Sequence, residues 1–452
     1  MSSADVVVVG AGLAGLTAAI RLAEAGASVD VVARGHAATH WTAGGIDVAA
    51  PRGAETPAQG LKRLRSVPGH PYAVVGDDVP AALEWFRPTV AASGLEYIGD
   101  LSSPIRHVPT SIGATRPASI VPAAQAGALR PWSPDERLVI CGFGGFKDFW
   151  ADEIAASLSR ADVWGSAAGS EGVRPSRVES VTVALPGTQG RHNLSALDIA
   201  RLFDDPGTRK DAIAALASAL NRAGARPGRV GLPAALGLDD HRAVITDVAA
   251  ALDLDPFEIP LVPPSIPGLR LFGALRSALR AAGGRITVGE PVLSVERSDR
   301  RVTAISTSAA ARQRTIRANA VVLATGGIAG GGLIGTAAGL VEPVLGLPAE
   351  APPVNAWLSR TPFDPAGHPL ELAGIRTDAD LRPVFASGET VFENVVAAGS
   401  ILAGQRYLAE RCGDGVAIAS GYRAAATLLG GSKASGERPR GKRREAAAGA
   451  RA

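Results

Sequence analysis

A glycine-rich turn between an apolar strand and a helix constrains this chain more than any other feature. Residues 5–9 combine one acid with four valines, a run typical of a strand buried on both faces. The run leads into residues 10–15, and an amphipathic segment follows. In a βαβ unit, Gly10 permits the tight turn, Gly12 lets the backbone approach a pyrophosphate, and Gly15 lets the helix pack closely. The pattern predicts a Rossmann-like unit whose helix N-terminus binds phosphate.

The second strand of this unit lacks the acid that usually holds the ribose of NAD. Residues 28–32 are predicted to form that strand, and the position after it is Ala33, followed by Arg34. Asp30 lies three residues before Ala33 and points to the opposite face of the sheet. This departure argues against an ordinary NAD site and favours a flavin nucleotide held through phosphate and backbone contacts. We include Arg34 among the candidate cofactor-binding residues.

Two later segments resemble parts of flavoproteins with two dinucleotide-binding folds. Buried strands are predicted at residues 320–324 and 394–398, and each ends in a glycine-containing turn. Residues 413–415 open a helix that is predicted to run from residue 416 to about residue 429. In such flavoproteins the N-terminus of this helix faces the flavin pyrimidine, where its dipole would stabilise negative charge on the reduced flavin. These segments add five candidate cofactor-binding residues: Thr325, Gly326, Gly399, Gly413 and Gly415.

Between about residues 71 and 267 a second set of strands and helices is predicted. Residues 137–141 are expected to form a strand, and the turn at 142–146 lacks the glycine spacing of a second nucleotide site. Further helices are predicted at residues 149–158, 194–203, 212–223, 243–252 and 269–280. The fold class is therefore predicted to be α/β, a Rossmann-like FAD/NAD(P)-binding domain with an inserted α/β cap domain. The predicted units are the first part of the flavin-binding domain (1–70), the inserted cap or substrate domain (71–267), the second part of the flavin-binding domain (268–432) and a basic, disordered tail (433–452).

The charge distribution argues against nucleic-acid binding. The sequence pI is about 9.1, but residues 433–452 hold seven basic and two acidic residues. The whole chain carries +3, so residues 1–432 carry about −2. The body of the protein therefore lacks the basic surface that nucleic acids select.

Cysteine usage and hydropathy predict a cytoplasmic protein that does not itself span a membrane. The two cysteines, Cys141 and Cys412, have neither metal-ligand spacing nor a disulfide framework, so we expect no metal and no iron–sulfur cluster. The N-terminus has no basic segment typical of a secretory signal. Residues 318–341 are uncharged but glycine-rich and too weakly apolar for a span.

The chain resembles the B-subunit family of bacterial anaerobic glycerol-3-phosphate dehydrogenase over about residues 4–430. The resemblance rests on the glycine turn together with several less common segments: residues 39–47, 70–72, 197–201 with Phe203, 263–270 and 342–347. A wider kinship with fumarate reductase and aspartate oxidase flavoproteins is indicated by residues 42–46.

This resemblance implies an enzyme that oxidises glycerol 3-phosphate to dihydroxyacetone phosphate. The implied partners are a catalytic A subunit and a membrane-associated iron–sulfur C subunit, which passes electrons to quinone. The chain would then lie in the cytoplasm, peripheral to the inner face of the cell membrane. The family is associated with FMN, whereas a pyrophosphate-binding turn suits FAD, so the flavin is expected to be FMN or FAD.

The resemblance also places a second group of residues beside the flavin ring. These are Thr42, Ala43, Gly44 and Gly45. Some related flavoproteins attach the flavin covalently through a histidine, but the offset of His40 from the two glycines does not fit that attachment. A non-covalent flavin is therefore predicted, with His40 as a hydrogen-bonding or structural residue.

Oxidation of a secondary alcohol needs a base for the hydroxyl proton, and a phosphate ester needs a cationic clamp. His70 and Arg270 are the candidate catalytic residues, because both lie in the family-like segments. Two alternatives stay open, namely a free-standing oxidoreductase of the fumarate reductase type and a flavin-less scaffold subunit. The intact glycine turn disfavours the scaffold.

Overall fold

The computed structural model describes residues 2–133, 135–164, 174–224, 228–309 and 312–434. The predicted basic tail at 433–452 lies outside the described residues, apart from the backbone of 433 and 434. The strands are β1 (Ser2–Val9), β2 (Val29–Ala33), β3 (Tyr97–Ile98), β4 (Arg106–Pro109), β5 (Thr115–Ala118), β6 (Val121–Pro122), β7 (Arg137–Phe143), β8 (Arg177–Val183), β9 (Gly228–Pro233), β10 (Asp255–Ile259), β11 (Arg285–Val288), β12 (Val292–Ser298), β13 (Arg301–Ala309), β14 (Arg312–Leu323), β15 (Ile334–Thr336), β16 (Gly339–Val341), β17 (Ala349–Glu350), β18 (Gly374–Ile375) and β19 (Val395–Ala397).

The helices connect these strands and cover the sheets. They are α1 (Leu13–Glu24), α2 (Pro57–Arg65), α3 (Tyr72–Val75), α4 (Val79–Ala91), α5 (Ala151–Leu158), α6 (Ala196–Asp204), α7 (Pro206–Arg222), α8 (His241–Ala251), α9 (Ile266–Ala281), α10 (Tyr407–Glu410) and α11 (Gly413–Ala434). Short 3₁₀ helices occur at Ala38–Trp41, Gly76–Asp78, Ala123–Leu129, Ala161–Trp164, Val354–Ala356 and Pro369–Leu372. Among the described residues, no helix is long and apolar enough to cross a membrane.

The main sheet confirms the predicted Rossmann-like fold class. Its order is β11-β2-β1-β14-β13-β12, and β19 pairs with the C-terminal end of β14. Strands β11, β2, β1, β14 and β19 run parallel, while β13 is antiparallel to both of its neighbours, β14 and β12. Because parallel strands present their carboxyl ends at one edge, the turns after β1, β2, β14 and β19 meet there.

A second parallel sheet, with order β10-β9-β7-β8, lies in the segment predicted as the inserted cap. Helices α5 to α8 belong to the same region, and its apolar residues form a core separate from that of the main sheet. The main core also contains residues between Tyr72 and Tyr97, on the cap side of the predicted boundary at 70. The exact domain boundaries stay a prediction.

Helix capping accounts for the main differences from the predicted helix bounds. Helix α7 begins at Pro206 rather than near residue 212, because the Asp205 side chain accepts a hydrogen bond from the Thr208 N–H. Helix α9 begins at Ile266, three residues before its predicted start, with Ser265 capping the Gly268 N–H. In both cases a proline occupies the first turn, where its missing N–H costs no helical hydrogen bond.

Candidate functional site

The turn after β1 has the backbone geometry that the glycine pattern predicted. Gly10 has φ +113°, and a Cβ there would overlap the carbonyl oxygen of Ala324 at the end of the neighbouring strand. A Cβ on Gly15 would overlap the Gly10 carbonyl oxygen. Gly12 is different, because its added Cβ would meet only the Ala37 side chain, at 3.5 Å. Gly10 and Gly15 are thus required by packing, whereas Gly12 leaves open space beside the backbone.

The N-terminus of α1 has the donors that a phosphate group needs. No side chain caps this end of the helix, and no acidic residue lies in its first turn. Its first backbone N–H groups and the helix dipole therefore favour an anion. The nearby Thr325 hydroxyl is buried and has no hydrogen-bond partner among the described residues. These two features fit a flavin nucleotide at this edge of the sheet.

The turn after β19 packs tightly against this helix, and the turn after β14 lies beside the glycine turn. Gly326 and Gly399 have φ +81° and +83°, and a Cβ on Gly399 would lie 2.8 Å from the Ala14 side chain. Arg34, which is exposed, lies over the turn after β14, because a Cβ on Gly331 would approach its guanidinium to 2.5 Å. The structure therefore brings Arg34, Gly326 and Gly399 to the edge that holds the glycine turn.

Neighbouring side chains form hydrogen bonds with the loop of residues 42–47 (the 42–47 loop), which contains Thr42, Ala43, Gly44 and Gly45. The Tyr97 hydroxyl donates to the Gly44 carbonyl over 2.7 Å, and the Gln125 amide donates to the Ala43 carbonyl over 2.8 Å. Thr42 accepts from the Gly44 N–H through its hydroxyl, at 3.3 Å. The loop is thus held by residues outside it, which suits a rigid wall of a binding site.

The N-terminus of α11 is hydrogen-bonded to Asp47 at the end of this loop. The Asp414 carboxylate accepts from the Asp47 N–H at 3.0 Å, and the Gly415 N–H donates to the Asp47 carbonyl at 3.0 Å. A Cβ on Gly415 would overlap the Tyr72 hydroxyl and lie 3.2 Å from the Val48 Cα. Gly415 therefore permits the close approach of the helix, and Gly413 lies beside it at the helix start.

A charged cluster that the sequence did not predict lies next to this contact. The Asp47 carboxylate accepts from Arg116 at 2.6 Å and from Arg411 at 2.8 Å. Burial, followed by the charge of Asp47, raises the pKa of Asp414 to about 7. Burial and the Arg411 charge lower the pKa of His107. The cluster thus combines two cations, one carboxylate and one acid that titrates near neutral pH.

His70 lies in a buried cluster with Glu410 and Cys412, just before the start of α11. Its Nδ1 accepts from the Tyr72 N–H at 3.0 Å, so Nε2 carries the proton and faces Glu410 at 3.2 Å. The Cys412 sulfur lies 3.8 Å from both His70 and Glu410. A metal ligand needs a free lone pair on Nε2, so hydrogen bonding explains this cluster better than metal ligation. The side chain of His70 is fully buried, which favours a structural role; its role as a base stays a prediction.

Arg270 lies in a buried ion pair rather than at the edge of the main sheet. Its guanidinium contacts both Glu258 carboxylate oxygens, at 2.7 and 3.0 Å, and donates to the Gly237 carbonyl. The side chains of Arg270 and Glu258 are 4% and 0% exposed. These contacts favour a structural role, so Arg270 is not part of the site proposed below.

His40 is buried beside the start of α9. It stacks on His36, with ring centroids 4.5 Å apart, and meets the edge of Phe272 at 4.8 Å. Its Nε2 has no hydrogen-bond partner among the described residues. Burial, together with the charge of His36, lowers the pKa of His40. A mainly neutral ring is therefore expected at pH 7.

The fold and the turn geometry define a flavin-binding protein of the FAD-binding type. The family model described as "FAD binding domain" matches residues 5–416, and the chain belongs to that family. Its sequence relatives narrow the assignment, because the chain also belongs to the B-subunit family of anaerobic glycerol-3-phosphate dehydrogenase. The Halobacterium salinarum protein named as a probable member is 35% identical over 431 residues, covering 93% of this chain and 96% of the relative. The Yersinia pseudotuberculosis member is 31% identical, covering 92% and 96%.

Solved structures give a more distant comparison. An Escherichia coli quinol fumarate reductase matches with a TM-score of 0.43 and 11% identity, covering 97% of this chain and 72% of that chain. A 3-ketosteroid delta1-dehydrogenase from Sterolibacterium denitrificans matches with a TM-score of 0.42 and 14% identity, covering 95% and 100%.

Proposed function

We propose that this chain is the flavin-binding B subunit of a respiratory enzyme that oxidises sn-glycerol 3-phosphate to dihydroxyacetone phosphate. In this proposal electrons leave through an iron–sulfur C subunit and reach membrane quinone, and an A subunit completes the enzyme. The chain would lie in the cytoplasm and reach the inner face of the membrane through these partners. The names of the sequence relatives support the substrate and the subunit role.

One observation carries the flavin part of the proposal. The uncapped N-terminus of α1 and the glycine turn before it lie at the sheet edge where the other turns also meet. The residues proposed to hold the flavin are Gly10, Gly12, Gly15, Arg34, Thr42, Ala43, Gly44, Gly45, Thr325, Gly326, Gly399, Gly413 and Gly415. His40 keeps its place as a structural residue, so the flavin is proposed to be non-covalent.

When bound, the flavin supplies the acceptor for the hydride of the alcohol carbon. The protein must position the substrate and accept the hydroxyl proton. Asp414 suits that second task, because it is hydrogen-bonded to the 42–47 loop and its pKa of about 7 matches a base working near neutral pH. The two cysteines, Cys141 and Cys412, are buried and free, so onward electron transfer is assigned to another protein.

The test uses the purified, flavin-loaded chain mixed without oxygen with glycerol 3-phosphate, alone and after addition of the A and C subunits. Loss of the oxidised-flavin absorbance is expected with glycerol 3-phosphate and not with glycerol or succinate. Bleaching by succinate instead would support the free-standing fumarate reductase type. A folded chain that binds no flavin, alone or with its partners, would support the scaffold.

Denaturing the same protein identifies the cofactor. Chromatography of the released flavin distinguishes FAD from FMN, and the protein mass shows whether any flavin stays attached. Release of all flavin, with an unmodified protein mass, is expected for a non-covalent site. A mass increased by one flavin would contradict that assignment.

A further inference from the structure

Two arginines, Arg116 and Arg411, lie beside the 42–47 loop with partly exposed side chains. Arg116 lies on β5 and Arg411 lies two residues before the start of α11, so the two come from distant parts of the chain. Each directs Nη2 to the same oxygen of Asp47, at 2.6 and 2.8 Å. The same nitrogen of Arg411 also donates to the Pro117 carbonyl, at 3.2 Å.

Arg116 has a buried donor without a partner. Its Nη1 makes no hydrogen bond with any described residue, although the atom is buried. The same atom would lie 3.4 Å from a Cβ on Gly45. Leaving a charged donor unpaired is costly, and proteins commonly satisfy such a group with a ligand or an ordered water. This donor lies beside Gly45, which is one of the residues proposed to hold the flavin.

The charge of the cluster selects the kind of ligand. Two guanidinium groups face one Asp47 carboxylate, which leaves a net positive charge whenever Asp414 is protonated. Guanidinium groups present N–H donors in a planar fork that matches the oxygens of a phosphate. A tetrahedral dianion therefore suits this cluster in both charge and geometry.

We propose that Arg116 and Arg411 form the binding site for the phosphate group of the substrate. The inference rests on the proposed function for the identity of the phosphate ester, but the anion site itself stands on the two guanidiniums. It replaces Arg270, whose donors are occupied by Glu258 and Gly237, as the phosphate clamp.

Asp414 should make anion binding depend on pH. It contacts the loop through the Asp47 N–H, and Asp47 in turn holds both guanidiniums. The titratable and charged groups that face Asp414 are Asp47, Arg116, Arg411, Tyr72, Tyr97 and Cys412. Loss of the Asp414 proton adds a negative charge to the cluster, so anion affinity should fall as the pH rises through about 7. A fall on the order of tenfold is expected for one added charge near the site.

The experiment measures sulfate and inorganic phosphate binding to the flavin-loaded chain by calorimetry at constant ionic strength. Sulfate serves for the pH series because its own charge does not change between pH 6 and 8. Arg116→Gln and Arg411→Gln should each weaken binding by about tenfold or more, because each removes a charge-assisted hydrogen bond. The matched control is Arg160→Gln, which removes an exposed arginine paired with Asp162. It should leave the affinity unchanged.

Asp414→Asn tests the pH dependence separately. The wild-type affinity for sulfate should fall between pH 6 and 8, and the variant should show no such fall. Glycerol 3-phosphate should compete with sulfate, whereas succinate should not. Flavin occupancy and circular dichroism identify any variant that fails to fold, and the second arginine then provides the test.

The outcomes separate this inference from the proposed function. Wild-type sulfate affinity in both folded arginine variants would overturn the anion site, even if glycerol 3-phosphate reduces the flavin. Sulfate binding that needs both arginines, without flavin reduction by glycerol 3-phosphate, would keep the anion site and overturn the proposed function. Competition by succinate but not by glycerol 3-phosphate would overturn the phosphate assignment.

Discussion

Replacing Arg270 by methionine should destabilise the cap region without removing a substrate contact. The change leaves the fully buried Glu258 carboxylate without its cation, and the Gly237 carbonyl without its donor. Removing one partner of such a buried pair costs about 3–5 kcal/mol. Methionine fills most of the arginine volume, so the lost charge rather than a cavity should dominate.

The effect of Arg270→Met should depend on pH. Burial alone would raise the pKa of Glu258, and the Arg270 guanidinium holds it below its usual range in the wild-type protein. Without Arg270 the folded pKa should rise above the unfolded value. The contribution of Glu258 to the stability of the variant should therefore be fully present below its unfolded pKa and be lost as the pH rises through the raised folded pKa.

Urea unfolding of the flavin-loaded protein at pH 5 and pH 8 provides the assay. The loss of stability relative to wild type should be larger at pH 8 than at pH 5. The double variant Glu258→Leu with Arg270→Met should recover part of the loss, because no buried charge is left unpaired. If Arg270→Met kept wild-type stability and lost glycerol 3-phosphate oxidation, the structural reasoning would be refuted and a catalytic role supported.

Three further predictions concern the flavin site and the thiols. Gly12→Val should lower flavin occupancy after purification, because its branched side chain fills the space beside the uncapped N-terminus of α1. The control Gly273→Val on α9, also in open space, should keep full occupancy, and equal occupancy in the two variants would contradict the role of Gly12. In urea unfolding, Gly415→Ala should lower the unfolding free energy by about 1–3 kcal/mol, because the added methyl group overlaps the Tyr72 hydroxyl. Adding Tyr72→Phe should restore part of this free energy, and a loss unaffected by Tyr72→Phe would place the strain elsewhere. Cys141 and Cys412 are fully buried, and burial raises the pKa of both thiols. Mass spectrometry should therefore find no iodoacetamide adduct at pH 8 until the protein is unfolded, and labelling of the native protein would show that one thiol is accessible.

Local geometry decided which features of the site were predictable. The roles of Gly10 and Gly15 follow from a strand, a turn and a helix that are adjacent in sequence, so their spacing alone indicated the fold. The Asp47 contacts with Arg116 and Arg411 join residues 69 and 364 positions apart. No periodicity or motif connects such distant residues, and the cluster became visible only in the folded chain.

The same reason applies to Arg270 and His70, whose assignment to catalysis stays a prediction. A conspicuous arginine or histidine in a family-like segment does not reveal whether its donors are already occupied. For Arg270 the decisive residues are Glu258 on β10 and Gly237, which packing brings to its guanidinium. For His70 they are Glu410 and Cys412, more than three hundred residues away.

The pairing of β1 with β14 affects how the protein is made. Residues 2–9 pair with residues 316–323, so β1 stays without that partner until residue 323 has been synthesised. At 5–20 residues per second this interval is roughly 15–60 s. All four strands of the second sheet lie between residues 137 and 259 and emerge earlier. The second sheet can therefore finish folding while the valine-rich β1 still has an unpaired edge, and we expect the nascent chain to be prone to aggregation during this interval.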